Sequence, residues 1–239
     1  GIASKENDHN NLVAPYKNKL RLFKADGNFG FRYIQEAAAI RYTYSRNQKI
    51  LKKIFHDEDI IATHSYRTTE GKPCEPETLY PILPIGVING QNQIGVGFAS
   101  TLLPRKVETV LDLFIGILQG TITNLPSYLP PEYPYYNGKV DLLDVNKWSL
   151  KGKVQVEVAK RGKKIIRITE VPPNWDKYIL IKKLEDFKDS GLIENYQNNS
   201  VKNTFNIEIS STKLENLPED KILEKLELET SVTESFVYY

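Results

Sequence analysis

The chain has 239 residues, 40 % hydrophobic and 26 % charged, with a formal net charge of +2; that is ample for one or two domains with a buried core, and the charge is too small to announce a nucleic-acid binder by itself. A single cysteine, Cys74, excludes an internal disulfide and suits a reducing compartment, while three scattered histidines, His9, His56 and His64, give no zinc-type ligand spacing, so any metal must come through carboxylates or another chain. No apolar run approaches the roughly 18 residues of a membrane span and the start shows no signal-peptide pattern, so the expectation is a soluble intracellular protein.

Gly1 stands first and Met is absent throughout, which reads as a processed chain or a fragment. Residues 1–11 are polar and suit a loop or a frayed helix start, and 12–23 has apolar spacing for a short helix and an extended piece. Gly27 and Gly30 then break any regular element. From Gln35 to about Phe55 the pattern predicts a helix, opened by the strong helix formers Ala37, Ala38 and Ala39 and burying Ile40, Ile50, Leu51 and Ile54. It delivers Arg41 and Tyr42 just after a glycine-bearing loop that lets the backbone approach something closely. A phenol beside a guanidinium is a candidate nucleophile next to an anion clamp; the competing role is the packing one that most of the 14 tyrosines fill.

A loop over 65–77, holding Gly71, Pro73 and Pro76, closes this unit. Two apolar runs, 79–88 and 94–99, flank Asn89-Gly90 and predict a hairpin, with Gly95 and Gly97 leaving one face nearly bare. The almost wholly apolar segment from Val107 to Leu118 predicts a buried helix. A proline-rich stretch, 126–134, is a natural boundary, dividing the chain into 1–125 and 126–239. Beyond it, 154–158 alternates like a half-buried strand, Arg161-Gly162 turns, and 165–168 starts a second strand. Pro172-Pro173-Asn174 ends that strand and caps a helix over about 175–188, with Ile179, Ile181, Leu184 and Phe187 inward. Strands are expected at 192–195, 205–210 and 232–238, and Pro218 opens a helix through 229. The class is α+β with an antiparallel sheet. Lys and Arg cluster before the central loop (Lys17, Lys19, Arg21, Lys24), after it (Arg41, Arg46, Lys49, Lys52, Lys53) and over 151–167, while acidic residues concentrate over 185–234. Such segregation gives either a cationic face suited to phosphates or ordinary solvated surfaces.

The run Ala37-Ala38-Ala39-Ile40-Arg41-Tyr42-Thr43, with Asp26-Gly27-Asn28-Phe29-Gly30 upstream, resembles the active-site region of type IIA DNA topoisomerases, in the breakage-reunion subunit typified by gyrase A. Glu75-Pro76-Glu77, Leu83-Pro84, Ile88-Asn89-Gly90, Ile94-Gly95-Val96-Gly97 and Leu103-Pro104 resemble that family's next segment in the same order. Ile168-Thr169-Glu170-Val171-Pro172 followed by Leu180-Ile181-Lys182-Lys183-Leu184 is similar to its tower domain. The sequence looks closest to the T-even bacteriophage type, although Glu75-Pro76-Glu77 is also eukaryote-like.

The resemblance implies a partial winged-helix, helix-turn-helix-like DNA-cleavage region over 1–125, followed by an α+β tower over 126–239. It implies that Tyr42 attacks a phosphodiester of double-stranded DNA to give a 5′-phosphotyrosyl link. A phenol has an ordinary pKa of about 10, so positive charge must stabilise its oxyanion, a role for Arg41. Ile94 aligns with an isoleucine that wedges between base pairs, the alternative being a core strand residue; Gln93 before it stands where gyrase-like sequences carry glycine. Arg46, Lys49, Arg105 and Lys106 are candidates for backbone phosphate contacts. This chain offers no obvious acidic cluster for a metal, and the resemblance implies that Mg²⁺ and ATP sit on a TOPRIM/ATPase partner subunit or region; the full enzyme is expected to be a homodimer with no membrane association, working in the bacterial cytoplasm or the nucleoid of a phage-infected host. The fragment is expected to be inactive alone. Family members carry a longer winged-helix segment upstream and a coiled coil downstream, so the expectation is a truncated chain or a divergent viral subunit. The competing class is a DNA-binding or scaffold protein that keeps the fold without chemistry.

Overall fold

The computed structural model describes residues 2–63, 65–95, 98–158 and 164–235, of which residues 2–5, 60, 63, 93–95 and 98 are described by their backbone alone. The elements run α1 (Ile2–Val13), β1 (Phe23–Asp26), a 3₁₀ turn (Ile40–Tyr42), β2 (Tyr44–Asn47), α2 (Lys49–Ile54), α3 (Asp57–Thr63), β3 (Tyr66–Thr69), β4 (Lys72–Pro76), α4 (Ile85–Asn89), β5 (Gln91–Gly95), β6 (Phe98–Leu102) and α5 (Val107–Leu118). After the proline-rich connection come β7 (Lys139–Asp144), β8 (Lys147–Lys151), β9 (Lys153–Val158), β10 (Lys164–Glu170), α6 (Lys177–Asp189), β11 (Asn195–Asn198), β12 (Ile207–Ser210), α7 (Glu219–Lys225) and β13 (Glu229–Thr233). The strand pairings are antiparallel, so the α+β class holds.

The main core belongs to the second half. A four-stranded sheet in the order β11-β12-β10-β9 presents Val154, Ile166, Ile168, Ile207 and Ile209 to Leu180 and Leu184 of α6 and to Ile222 and Leu226 around α7. Strict alternation in β12 puts every second residue inward, the period-2 geometry of a half-buried strand. Helix α6 begins at Asp176, whose side chain accepts the Ile179 N–H at 2.9 Å and so satisfies one of the free amides of the first turn. The inward stripe is Leu180 and Leu184, with Phe187 packed beside them; Ile179, expected inside, is exposed. A second sheet, β13-β8-β7, buries Trp148 and Leu150. Neither β7 nor β8 is signalled by strong alternation.

Three expectations about the first half are corrected. The alanine run is not helical: Ala39 has φ −54° and ψ 142°, and the Ala38 N–H donates to the Asn28 carbonyl at 2.9 Å across a loop rather than to a residue four back. Tertiary hydrogen bonding overrides helix propensity here. Asn89-Gly90 does not turn a hairpin; Asn89 ends α4, accepts the Leu20 N–H at 2.7 Å and donates to the Leu20 carbonyl at 2.9 Å. The hairpin lies one step later, between β5 and β6. Helix α5 forms where expected, yet only Val110 and Gly116 are buried in it, and Ile115, Ile117 and Leu118 are exposed. The polar start, expected as a loop or a frayed helix start, forms the helix α1.

Candidate active site

The β1–β2 ribbon pairs Lys24 with Arg46, Ala25 with Ser45 and Asp26 with Tyr44, and the segment joining its strands, 27–43, carries Arg41 and Tyr42. Two glycines shape it. At Gly27 (φ +109°) a Cβ would lie 2.9 Å from the Tyr42 carbonyl oxygen, and at Gly30 (φ +83°) a Cβ would lie 2.7 Å from the Gln35 carbonyl oxygen. Both positions combine a left-handed backbone with a close approach that other residues do not tolerate. The Gly30 N–H is held by Asn28 Oδ1 at 2.9 Å.

The 3₁₀ turn then closes on itself: the Tyr42 N–H donates to the Ala39 carbonyl at 2.8 Å, and the Thr43 N–H to the Ile40 carbonyl at 3.1 Å. Buried Thr43 adds its hydroxyl to the same Ile40 carbonyl at 3.2 Å. Thr43 is thus anchored inward, while Tyr42 beside it is 64 % exposed. The Arg41 guanidinium lies 4.9 Å from the centre of the Tyr42 ring, within cation–π range. The structure therefore brings together a solvent-facing phenol and a permanent cation.

Arg46 is exposed on β2 and its Nε donates to Asp26 Oδ2 at 2.6 Å, a pairing of low net value at a surface. Lys49 opens α2, with Lys52 and Lys53 on its last turn, and all three are exposed. Helix α1 packs behind this region through Val13 and Ala14 against Phe29; the His9 ring lies 5.6 Å from Phe29 and its Nε2 is 3.0 Å from Ser45 Oγ.

Lys106 is exposed at the start of α5. Arg105, expected to face a phosphate backbone, is 6 % exposed; its guanidinium donates to Glu234 Oε2 at 2.6 Å and to the Leu103 carbonyl at 2.7 Å. It is an internal tie to the C-terminal strand region, and that corrects the surface placement. The Ile94 backbone sits in β5 opposite Ala99; its side chain, on which the wedge depends, lies outside the described residues.

No group of three or more His, Cys, Asp or Glu able to hold a metal ion occurs among the described residues. The acids near the turn are engaged: Asp26 with Arg46 and Lys24, Glu36 with the Tyr178 hydroxyl at 3.0 Å. These residues do not fit a metal centre beside Tyr42.

Sequence reasoning missed Arg32. It is 2 % exposed, pairs with buried Glu170, donates to the Val171 carbonyl at 2.5 Å, and lies between the rings of Phe205 and Tyr136 at 4.7 and 5.4 Å. The available signal was a lone cation inside Phe31-Arg32-Tyr33-Ile34, where a buried charge demands a partner.

The fold is that of a topoisomerase cleavage region: it matches the DNA-binding, cleavage and re-ligation domain of Plasmodium falciparum topoisomerase II with a TM-score of 0.84, covering 98 % of this chain and 32 % of that one at 22 % identity. The family model for the A-type subunit of DNA gyrase/topoisomerase IV matches residues 10–239, and the chain belongs to that family. It is 28 % identical to the DNA topoisomerase medium subunit of Enterobacteria phage T4 over 73 % of this chain and 37 % of that protein. It is also 28 % identical to the A-type subunit of Thermotoga maritima DNA gyrase, over 94 % of this chain and 30 % of that protein. The chain thus spans about a quarter to two fifths of the length of the curated relatives it matches. No described helix is long and apolar enough to cross a membrane.

Proposed function

We propose that this chain is the DNA breakage-reunion part of a type IIA topoisomerase and that Tyr42 is its nucleophile. The observation that carries the reading is the exposed phenol of Tyr42 beneath the Arg41 guanidinium, 4.9 Å from its ring centre, at the head of a segment that carries the cations Arg46 and Lys49. In the reaction the Tyr42 oxygen bonds to phosphorus, the bond from phosphorus to the 3′-oxygen breaks, and the phenol proton passes on to the leaving 3′-oxygen. One phosphodiester replaces another, so the reverse attack by the 3′-hydroxyl reseals the strand without an energy source. Arg41 presents a planar, permanently charged fork to the phosphate oxygens as charge builds on them.

Arg46, Lys49 and Lys106 hold the duplex backbone without reading sequence, and Ile94 acts as the wedge. A divalent metal, when bound, neutralises phosphate charge; by resemblance to the family, Mg²⁺ and ATP belong to a TOPRIM/ATPase partner, and the partner-free chain is inactive. Residues 1–125 form the winged-helix-type cleavage region and 126–239 the tower, in an enzyme that works as a homodimer of this subunit on cytoplasmic or nucleoid DNA, bacterial or viral.

The test incubates the full-length subunit with its partner, Mg²⁺ and end-labelled duplex, followed by denaturant. Protein-linked DNA is expected from the wild type and none from Tyr42→Phe. An adduct from Tyr42→Phe rejects the nucleophile, and a wild type that binds DNA but never links to it makes the protein a scaffold.

A further inference from the structure

The loop 28–38 is closed at its base by the Asn28 carbonyl accepting the Ala38 N–H at 2.9 Å and turned at its tip by the Phe31 N–H donating to the Ile34 carbonyl at 2.7 Å. The tip carries Arg32 and Tyr33. It is driven into the sheet core of the second half, where Tyr33 is 7 % exposed, meets Phe205 edge-on at 5.8 Å, donates its N–H to the Lys202 carbonyl at 2.8 Å and accepts the Lys177 N–H at 2.7 Å. The Arg32 N–H donates to Asn203 Oδ1 at 2.9 Å. Its guanidinium closes the anchor on Glu170, which also accepts the Asn137 N–H at 2.8 Å and the Val171 N–H at 2.9 Å. The loop base, in turn, abuts the reacting turn: the Cβ position of Gly27 is 2.9 Å from the Tyr42 carbonyl oxygen.

We infer that Arg32, clamped on Glu170, is a positioning residue for Tyr42: it fixes the tip of loop 28–38 in the second-half sheet, and the loop base sets where the tyrosine stands. The inference rests on Tyr42 being the nucleophile. Its physical content is leverage. A buried charge pair holds a single geometry because both partners have surrendered their hydration and neither can swing out, and misplacing a nucleophile by about 1 Å can lower a rate about 100-fold. The clamp therefore sets the yield of strand cleavage while leaving the cationic surface that binds duplex unchanged. It also makes the sheet to which Glu170 belongs part of the cleavage machinery.

The test uses the full-length subunit with its partner, Mg²⁺ and labelled duplex, and compares wild type with Arg32→Lys, Arg32→Met and Glu170→Gln. Glu234→Gln, which weakens the equally buried Arg105 pair away from the loop, is the control for lost stability. The readouts are the amount of covalent adduct at saturating DNA, the DNA dissociation constant, and the ¹⁹F resonance of 3-fluorotyrosine placed at position 42. For Arg32→Met and Glu170→Gln the expected result is adduct reduced about 10- to 100-fold, an unchanged dissociation constant and a shifted or broadened resonance, with partial recovery in Arg32→Lys and no adduct change in Glu234→Gln. Should Arg32→Met fail to fold, Glu170→Gln, which keeps the shape of the anchor, decides the matter. Wild-type adduct yield and an unmoved resonance in folded Glu170→Gln and Arg32→Lys overturn the positioning role, as does an equal fall in Glu234→Gln. A wild type that forms no adduct overturns instead the reading on which the inference rests.

Discussion

The second-half sheet and the Tyr42 turn are built on opposite plans. Around β10 and β12 the chain hides Ile166, Ile168, Ile207 and Ile209 almost completely, so position is fixed by packing against α6 and α7. The Tyr42 turn hides only Thr43; Ile40, Tyr42 and Tyr44 are all exposed. Its geometry comes from two left-handed glycines, a handful of backbone hydrogen bonds and one loop rooted in the distant core. An exposed side chain cannot be ordered by its own burial, so its order has to be imported from a region that is buried.

If that contrast is sound, substitutions separate cleanly into those that erase chemistry and those that erase stability. Tyr42→Phe gives the largest effect, a fall in adduct of at least about 10³-fold as expected for loss of a nucleophile, while thermal stability stays within about 0.5 kcal/mol because the side chain is at the surface. Arg41→Ala lowers adduct about 100-fold, the scale of one charge-stabilising group, again with little change in melting. Leu180→Ala does the reverse: it costs about 2–5 kcal/mol of stability in denaturant titrations, and whatever remains folded cleaves normally. A Leu180→Ala protein that is as stable as wild type would break the comparison at its buried end.

A finer cut concerns the cations. Arg46→Ala and Lys49→Ala should each weaken duplex binding uniformly across sequences and reduce the slope of log affinity against log salt by about 1. Arg105→Met should leave that slope alone and cost about 3–5 kcal/mol through the uncompensated Glu234 charge. A salt slope that falls in Arg105→Met but not in Arg46→Ala reverses the assignment. The smallest effect is alkaline. Burial, aided by Asp176, pushes the Tyr16 hydroxyl up to about 12, and burial also raises Tyr133 and Tyr136. Below pH about 10 folded and unfolded chains both hold these protons and the full stability is present. As pH rises towards 12 the unfolded chain releases its protons first, so stability is lost. Tyr16→Phe should make the unfolding free energy fall less steeply over that window, which tyrosinate absorbance and denaturant titration can follow together.

Much of the second half was legible because its elements obey local rules. The 154–158 alternation, the 165–168 run and the helix near 175–188 all formed within a few residues of expectation, with Asp176 rather than Asn174 as the cap. The predicted turn at Arg161-Gly162 lies outside the described residues. The first half misled wherever tertiary contacts beat local preference. Ala37 to Ala39 carry a helix propensity that the Asn28–Ala38 hydrogen bond overrules, and Asn89-Gly90 looks like a turn while Asn89 is used to grip Leu20. Arg41 and Tyr42 were picked out by the family pattern surrounding them; composition alone left one tyrosine among 14. The Arg32–Glu170 pair was illegible because its members stand 138 residues apart and only folding brings them together.

The most direct measurement is to find where DNA attaches. Full-length subunit, partner, Mg²⁺ and a short duplex are trapped with denaturant, digested with nuclease and protease, and the nucleotide-bearing peptide is sequenced by mass spectrometry. The account predicts a single modified residue, Tyr42, carrying the phosphate of a 5′ end; attachment at Tyr44 or any other residue, or through a 3′ end, contradicts it.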